Sequence, residues 1–128
     1  RVAVVSGRDS AALRKRVADL RISLSRFGTL DKATTCREIM QEAGVTAQQT
    51  ACIGDDSIDL LAFDACHFSF AVADAPDYVK QAARETLTLG GGQGAFREVV
   101  DKILTAQGQS DLYASTKGFS KVVRKKKP

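Results

Sequence analysis

The sequence predicts an α/β protein, a parallel sheet with helices on both faces. Short, largely apolar runs at 2–5, 50–53 and 68–72 have the composition of strands buried on both faces, the pattern of parallel sheet. Between them lie stretches whose apolar residues recur at helical spacing. The two kinds of segment alternate, and such alternation builds parallel strands joined by helical crossovers.

Taken in order, residues 2–5 form the first strand, and residues 10–20 set Leu13, Val17 and Leu20 on one helical face, with Asp9 or Ser10 as the cap. Residues 22–24 are a short strand candidate. Residues 31–43 put Cys36, Ile39, Met40 and Ala43 at helical spacing, and Gly44 supplies the stop. Thr46 and Gln49 have the spacing of a capping box ahead of the strand at 50–53. Ile58, Leu60, Leu61 and Phe63 continue as a helix, 68–72 is the next strand, and Asp74-Ala75-Pro76 opens a helix that runs to Ala83. Residues 86–89 close the set of strands. After Gly90-Gly91-Gly92-Gln93-Gly94, Phe96, Val99, Val100 and Ile103 mark the apolar side of a last helix. Residues 107–128 show neither period, so the expected organisation is a folded unit over 1–106 followed by a basic tail over 107–128.

A chain of 128 residues with 44% apolar content is long enough to bury one core. It holds no apolar run long enough to cross a membrane, and no membrane partner is expected. Cys36, Cys52 and Cys66 are odd in number and widely spaced, which fits neither a disulfide framework nor a zinc site. They read as small core residues of a protein in a reducing cytoplasm. The net charge of +4 is unevenly distributed, because residues 111–128 hold six basic residues and one acid and leave the rest at −1. Without interleaved aromatics or a recognition motif, that run reads as a solvated terminus, and nucleic acid is not an expected partner.

The chemistry concentrates at Ile53-Gly54-Asp55-Asp56-Ser57-Ile58-Asp59, where three carboxylates follow directly on a strand. Two carboxylates about 4 Å apart repel by roughly 4 kcal/mol at an effective dielectric near 20, so crowding them calls for a cation, a lysine or a shared proton. Hard oxygen donors suit Mg²⁺. A solvated turn in which Asp56 or Ser57 caps the next helix is the competing reading. The position past the carboxyl end of a strand, where open parallel sheets bind ligands, favours the metal. Asp55 points from the strand end, Asp59 lies four positions on along the same face, and Asp56 is the most structural of the three.

Ser6-Gly7-Arg8 follows the first strand and brings a hydroxyl, an unobstructed amide and a guanidinium to that edge, a combination that suits a phosphate. A capped helical turn would use the same residues. Lys32 opens the second long helix, 26 residues after Ser6 and 23 before Asp55, so each gap holds about one helix and one strand. His67, the one histidine, reads as structural. The glycine run has the composition of a phosphate loop but not the pattern of one.

These residues together resemble the haloacid dehalogenase superfamily of phosphatases, and within it the 3-deoxy-D-manno-octulosonate 8-phosphate phosphatase family. Val4-Val5-Ser6-Gly7-Arg8-Asp9-Ser10 is similar to the family's second motif, Gly28-Thr29-Leu30-Asp31-Lys32 to its third, and the acidic segment to its fourth. Ala71-Val72-Ala73-Asp74-Ala75 and the stretch from Gly91 to Val99 are also phrases of this subfamily, and the resemblance runs from Val2 to about Leu104. It implies Mg²⁺-dependent hydrolysis of a sugar-acid phosphate, by attack of an aspartate on phosphorus and hydrolysis of the aspartyl-phosphate, in the synthesis of a lipopolysaccharide precursor. It implies that Ser6 and Lys32 bind the transferring phosphoryl group, Gly7 and Arg8 contact substrate, Asp55 ligates Mg²⁺, and Asp59 supports the metal site or Lys32. A homotetramer whose C-terminal tails reach neighbouring sites is implied as well.

One departure stands out: the family's first motif, Asp-x-Asp, which carries the nucleophile, occurs nowhere in the 128 residues. The expectation is that an N-terminal segment bearing that strand is absent from this sequence, and that the chain as it stands does not turn over. A non-catalytic oligomerisation module of the same fold is the alternative.

Overall fold

Strand β1 (Ala3–Val5) runs parallel to β2 (Leu24–Arg26), pairing Ala3 with Leu24 and Val5 with Arg26. In this computed structural model, which describes residues 1–126, the crossover between them is helix α1 (Ala11–Asp19). Ser10 is its N-cap, accepting from the Leu13 amide at 3.2 Å, so that of the two cap candidates the serine serves. Val17 is the residue that α1 buries.

Helix α2 (Lys32–Ala43) starts from Asp31, whose carboxylate accepts from the Thr34 amide and hydroxyl, and it ends at Gly44 in the left-handed conformation with φ of 70°. That geometry is a glycine stop, as the spacing predicts. The Thr46–Gln49 capping box is present and frames a short 3₁₀ turn. Strand β3 (Ala51–Gly54) then pairs parallel with β4 (Phe68–Ala71), and β4 with β5 (Glu85–Thr86). Helix α3 (Leu60–Ala65) links the first pair and α4 (Asp77–Ala82) the second.

The parallel sheet is present as two ladders, β1-β2 and β3-β4-β5. Among the described residues β1 pairs only with β2 and β3 only with β4, so each keeps one unpaired edge. Helix α2 spans the two ladders, packing on β1 and on α3. Strand limits shift by a residue or two from the periodicity: β2 lies at 24–26 rather than 22–24 and β5 at 85–86 rather than 86–89. Both are edge strands whose length is set by their single neighbour rather than by their own apolar run.

Two apolar clusters hold the unit together. One gathers Phe63, Phe70, Val72, Val79, Leu87 and Val99 around β4, and the other gathers Ala33, Met40, Ala65 and Cys66 between α2 and α3. Cys36 and Cys52 pack against the second cluster, and all three cysteines are free. Contact with Cys66, and then burial, push the Cys36 thiol up, so it is protonated and packs as an apolar group. His67 sits at the amino end of β4, with Nε2 2.9 Å from Arg84 Nη1 and its ring edge-on to Phe68.

Helix α5 (Ala95–Ala106) follows the glycine run. Beyond it the structure departs from the aperiodic tail: α6 (Asp111–Ala114) and α7 (Thr116–Lys126) form a tight helical corner. Ser115 makes the turn, its hydroxyl donating to the Asp111 carbonyl and accepting from the Gly118 amide. A Cβ on Gly118 would fall 1.8 Å from the Asp111 carbonyl oxygen, so only glycine lets the helices approach this closely. The apolar residues of α7 are only Phe119, Val122 and Val123, too few to stand out against its lysines in a reading of periodicity. The end of the basic run, Lys127 and Pro128, lies outside the described residues.

Candidate active site

The carboxyl ends of β1 and β3 meet where their following loops touch. Ser6 leaves β1 with its amide still donating to the Arg26 carbonyl at 3.0 Å, and its own carbonyl accepts from the Thr29 amide at 3.1 Å. The Ser6 hydroxyl oxygen accepts from the Arg8 amide at 3.0 Å. That bond occupies a lone pair and leaves the hydroxyl hydrogen available to an incoming anion. Gly7 has no room for a side chain, since a Cβ would lie 2.6 Å from Ile58 Cδ1 in the acidic loop. The two sequence motifs are therefore in contact through Gly7 and Ile58. Arg8 is exposed, and its guanidinium makes no ion pair among the described residues.

Lys32 is 7% exposed, the first residue of α2, and its Nζ lies 2.7 Å from Asp59 Oδ1. Asp59 uses its other oxygen to accept from the Asp55 amide at 2.9 Å and the Asp56 amide at 3.3 Å. The Asp59 carboxylate is thus committed inward, holding both the lysine and the acidic loop. Burial alone would raise its pKa, but the Lys32 ammonium and the Asp55 amide outweigh that and hold it below the ordinary carboxylate range.

Asp56 is the N-cap of the 3₁₀ turn at 57–59, with its carboxylate accepting from the Ser57 amide at 2.7 Å. Asp55 is left with its carboxylate free of such duties. Partial burial, then hydrogen bonding with the Asp59 carboxyl and the negative charges of Asp59 and Asp56, raises its pKa. A group held in a negative field of this sort is stabilised by a cation.

The donors fit part of a hard-cation site. Among the described residues no group of three or more His, Cys, Asp and Glu side chains is arranged to hold a metal ion. Mg²⁺ is commonly held by only one or two protein carboxylates, with water and phosphate oxygens completing its octahedron. Asp55 satisfies one such position, while Asp59, already bound to Lys32, is not available for another.

Ser6, Gly7, Lys32, Asp55 and Asp59 thus come together at one sheet edge, with Arg8 at its rim. The glycine run does not cradle an anion, because the Gly91 amide is taken by Asp74 Oδ1 at 2.9 Å and Glu98 accepts from the Thr88 and Leu89 amides at its base. Carboxylates in those positions repel phosphate. A groove of about 570 Å³ lies along α6 and α7, lined by Tyr113, Phe119 and Val123, and none of the edge residues contributes to it. Sequence reasoning missed the hydroxyls of Thr29, Thr35 and Tyr78. Thr29 stands within the segment around Lys32, which was the available signal; Tyr78, whose hydroxyl accepts from Ser57 at 3.2 Å, had none.

Residues 27–90 match the haloacid dehalogenase-like hydrolase family. The chain is 58% identical over 123 residues to the 3-deoxy-D-manno-octulosonate 8-phosphate phosphatase KdsC of Haemophilus influenzae, covering 96% of this chain and 68% of that protein. The enzyme of the same name from Escherichia coli K12 is 33% identical over 110 residues, which span 86% of this chain and 58% of its length. Among solved structures, the cobalt-bound form of the Haemophilus influenzae phosphatase superposes with a TM-score of 0.90 at 59% identity, over 93% of this chain and 70% of that one. The Moraxella catarrhalis phosphatase in complex with magnesium, phosphate and KDO superposes with a TM-score of 0.81 at 33% identity, over 87% and 64%.

Proposed function

The chain belongs to the 3-deoxy-D-manno-octulosonate 8-phosphate phosphatase family of haloacid dehalogenase-like hydrolases, and on that premise we propose that it builds the phosphate- and metal-binding edge of a Mg²⁺-dependent phosphomonoesterase acting on that sugar-acid phosphate. The observation that carries the proposal is the buried Lys32–Asp59 pair, whose carboxylate also holds the Asp55 amide, in an acidic loop that meets the Ser6–Gly7 turn through Ile58. A fold pays to bury an ammonium only where its charge is used or matched. In this reading the Ser6 hydroxyl donates to a phosphoryl oxygen, and Lys32 offsets the charge that gathers between phosphate and nucleophile. Gly7 offers its backbone amide to the substrate, and Arg8 binds the sugar acid's carboxylate from the rim. Asp59 orients Lys32 and the acidic loop. When bound at Asp55, Mg²⁺ supplies charge neutralisation for the phosphate.

The 128 residues hold no Asp-x-Asp, and the reading therefore needs carboxylates from elsewhere. The unpaired edges of β1 and β3 flank Ser6 and Asp55, and a parallel strand carrying the nucleophile would complete the sheet there. The family resemblance further supports a tetramer acting in the cytoplasm in lipopolysaccharide-precursor synthesis. The rival reading, a non-catalytic oligomerisation module, draws on the exposed Phe119 and Val123 of α7 and gives the buried lysine no task.

The test compares two proteins with p-nitrophenyl phosphate and the sugar-acid phosphate as substrates. The 128-residue chain should be inert, and a protein extended by a strand bearing Asp-x-Asp should hydrolyse both with Mg²⁺ present. Metal-dependent turnover by the short chain, or none by the extended one, would overturn the proposal.

A further inference from the structure

Thr29 and Thr35 have no part in the roles given above. Thr29 lies in the loop between β2 and α2, and Thr35 belongs to the first turn of α2 with 8% exposure. Their hydroxyl oxygens are 2.7 Å apart, and Thr35 Oγ1 also lies 3.0 Å from the Asp31 carbonyl, an acceptor only. A hydroxyl has one hydrogen, so making both bonds requires that Thr35 donate to Asp31 and accept from Thr29. The Thr29 amide in turn donates to the Ser6 carbonyl at 3.1 Å. An unbroken line of hydrogen bonds therefore runs from Ser6 through Thr29 to the helical turn that begins with Lys32.

Helix formation does not explain this threonine. The Thr35 amide already bonds the Asp31 carbonyl at 3.2 Å, and β-branched residues lower helix propensity. Its neighbour Thr34 serves the cap, through bonds to the Asp31 carboxylate on the exposed side. What the Thr35 hydroxyl adds is the tie to the loop that carries Thr29.

We propose that Thr35 is a positioning residue which, through Thr29, holds Lys32 in register with Ser6. The inference rests on the reading of Ser6 and Lys32 as the phosphate-binding pair. Lysine ends in a compact charge on a flexible stem, so its placement depends on where its helix starts. Removing one member of a partly buried hydroxyl pair leaves the other without its partner, and the loop and the helix lose their common anchor.

The experiment uses the 128-residue chain with ¹⁵N-labelled lysine and follows the Lys32 ammonium by NMR, so it needs no turnover and stands apart from any failure of the phosphatase reading. Thr35→Val and Thr29→Val should each move the Lys32 signal and speed its hydrogen exchange by roughly fivefold, the change that one neutral hydrogen bond supports. Thr35→Ser should restore the wild-type signal, and the double valine variant should do no more than either single one. Thr34→Val, which strips a hydroxyl from the same turn but keeps the Thr34 amide bonded to the Asp31 cap, should move Lys32 less than either Thr35→Val or Thr29→Val. Thr29 is only half-buried, so Thr29→Val keeps the test open if Thr35→Val does not fold. An unchanged Lys32 signal in Thr29→Val, failure of Thr35→Ser to restore it, or an equal effect from Thr34→Val would overturn the proposal.

Discussion

Gly54 and Asp59 lie so close that a Cβ on Gly54 would stand 2.4 Å from Asp59 Cβ and 2.8 Å from its Cγ. The last residue of β3 therefore has to be glycine for the Asp59 carboxylate to fold back beneath the acidic loop. Gly54→Ala is expected to cost on the order of 3 kcal/mol, because the clash falls on a side chain pinned by Lys32 and two amides. Urea denaturation checks the cost, and a loss below about 0.5 kcal/mol would mean that Asp59 has somewhere else to go.

Asp59→Asn should destabilise the chain by about 3 kcal/mol at neutral pH, since it leaves a buried ammonium without its counter-charge. The pH dependence has a definite sign. A carboxyl whose folded pKa lies below its unfolded value contributes stability above the ordinary carboxylate range and loses it as pH falls through the lowered folded value. The wild type should accordingly lose stability in acid more steeply than Asp59→Asn, as chemical denaturation at stepped pH would reveal.

Asp55→Asn is expected to act with opposite signs on binding and on folding. The raised pKa of Asp55 means that its ionised form is disfavoured in the metal-free fold at neutral pH, a cost that eases as pH falls through the raised value. The variant should match or slightly exceed the wild type in metal-free stability, by less than about 1 kcal/mol for a group this exposed. Its affinity for Mg²⁺ should fall. Calorimetry giving unchanged Mg²⁺ affinity would remove Asp55 from the metal site.

In a protein that carries the nucleophile, Lys32→Ala should lose on the order of a hundredfold in turnover, and Lys32→Arg less, because the second variant keeps a cation beside the phosphoryl group. Steady-state kinetics with near-normal turnover for Lys32→Ala would leave the buried pair a purely structural device.

Gly118→Ala should open the corner between α6 and α7 while leaving the two core clusters intact, since the clash is with the Asp111 backbone and neither helix contributes to those clusters. Limited trypsin digestion should then cut at Lys117 and Lys121 first. Cooperative loss of the whole fold would show that the corner supports the core.

The clustering of the candidate residues was more legible in the sequence than the strand limits were. Ser6, Lys32 and Asp55 each follow a strand or open a helix, and parallel connectivity sends all such positions to one edge. Three acids within five residues likewise required a partner, although repulsion alone left open whether a metal or a lysine supplied it. The structure divides the task, with Asp59 going to Lys32 and the Asp55 carboxylate making no ion pair among the described residues. Two things were hidden. The close approaches at Gly54 and Gly118 depend on what lies across space, so these glycines look like any others in the sequence. The α6–α7 corner carries too few apolar residues to register as a period, and it is defined by Ser115 and Gly118 instead.

The division of the strands into two ladders also bears on self-association. Strands β1 and β3, each with one unpaired edge among the described residues, are short and carry no charge in Ala3-Val4-Val5 and Ala51-Cys52-Ile53-Gly54. They lack the lysine, proline and bulge by which natural sheets discourage pairing between molecules. Their shortness is the one such device they keep, so a concentrated solution of the isolated chain is expected to associate through these two segments only weakly. A short peptide able to pair with either edge should suppress that association, and the chain's solubility becomes a readout of how fully the edges are paired.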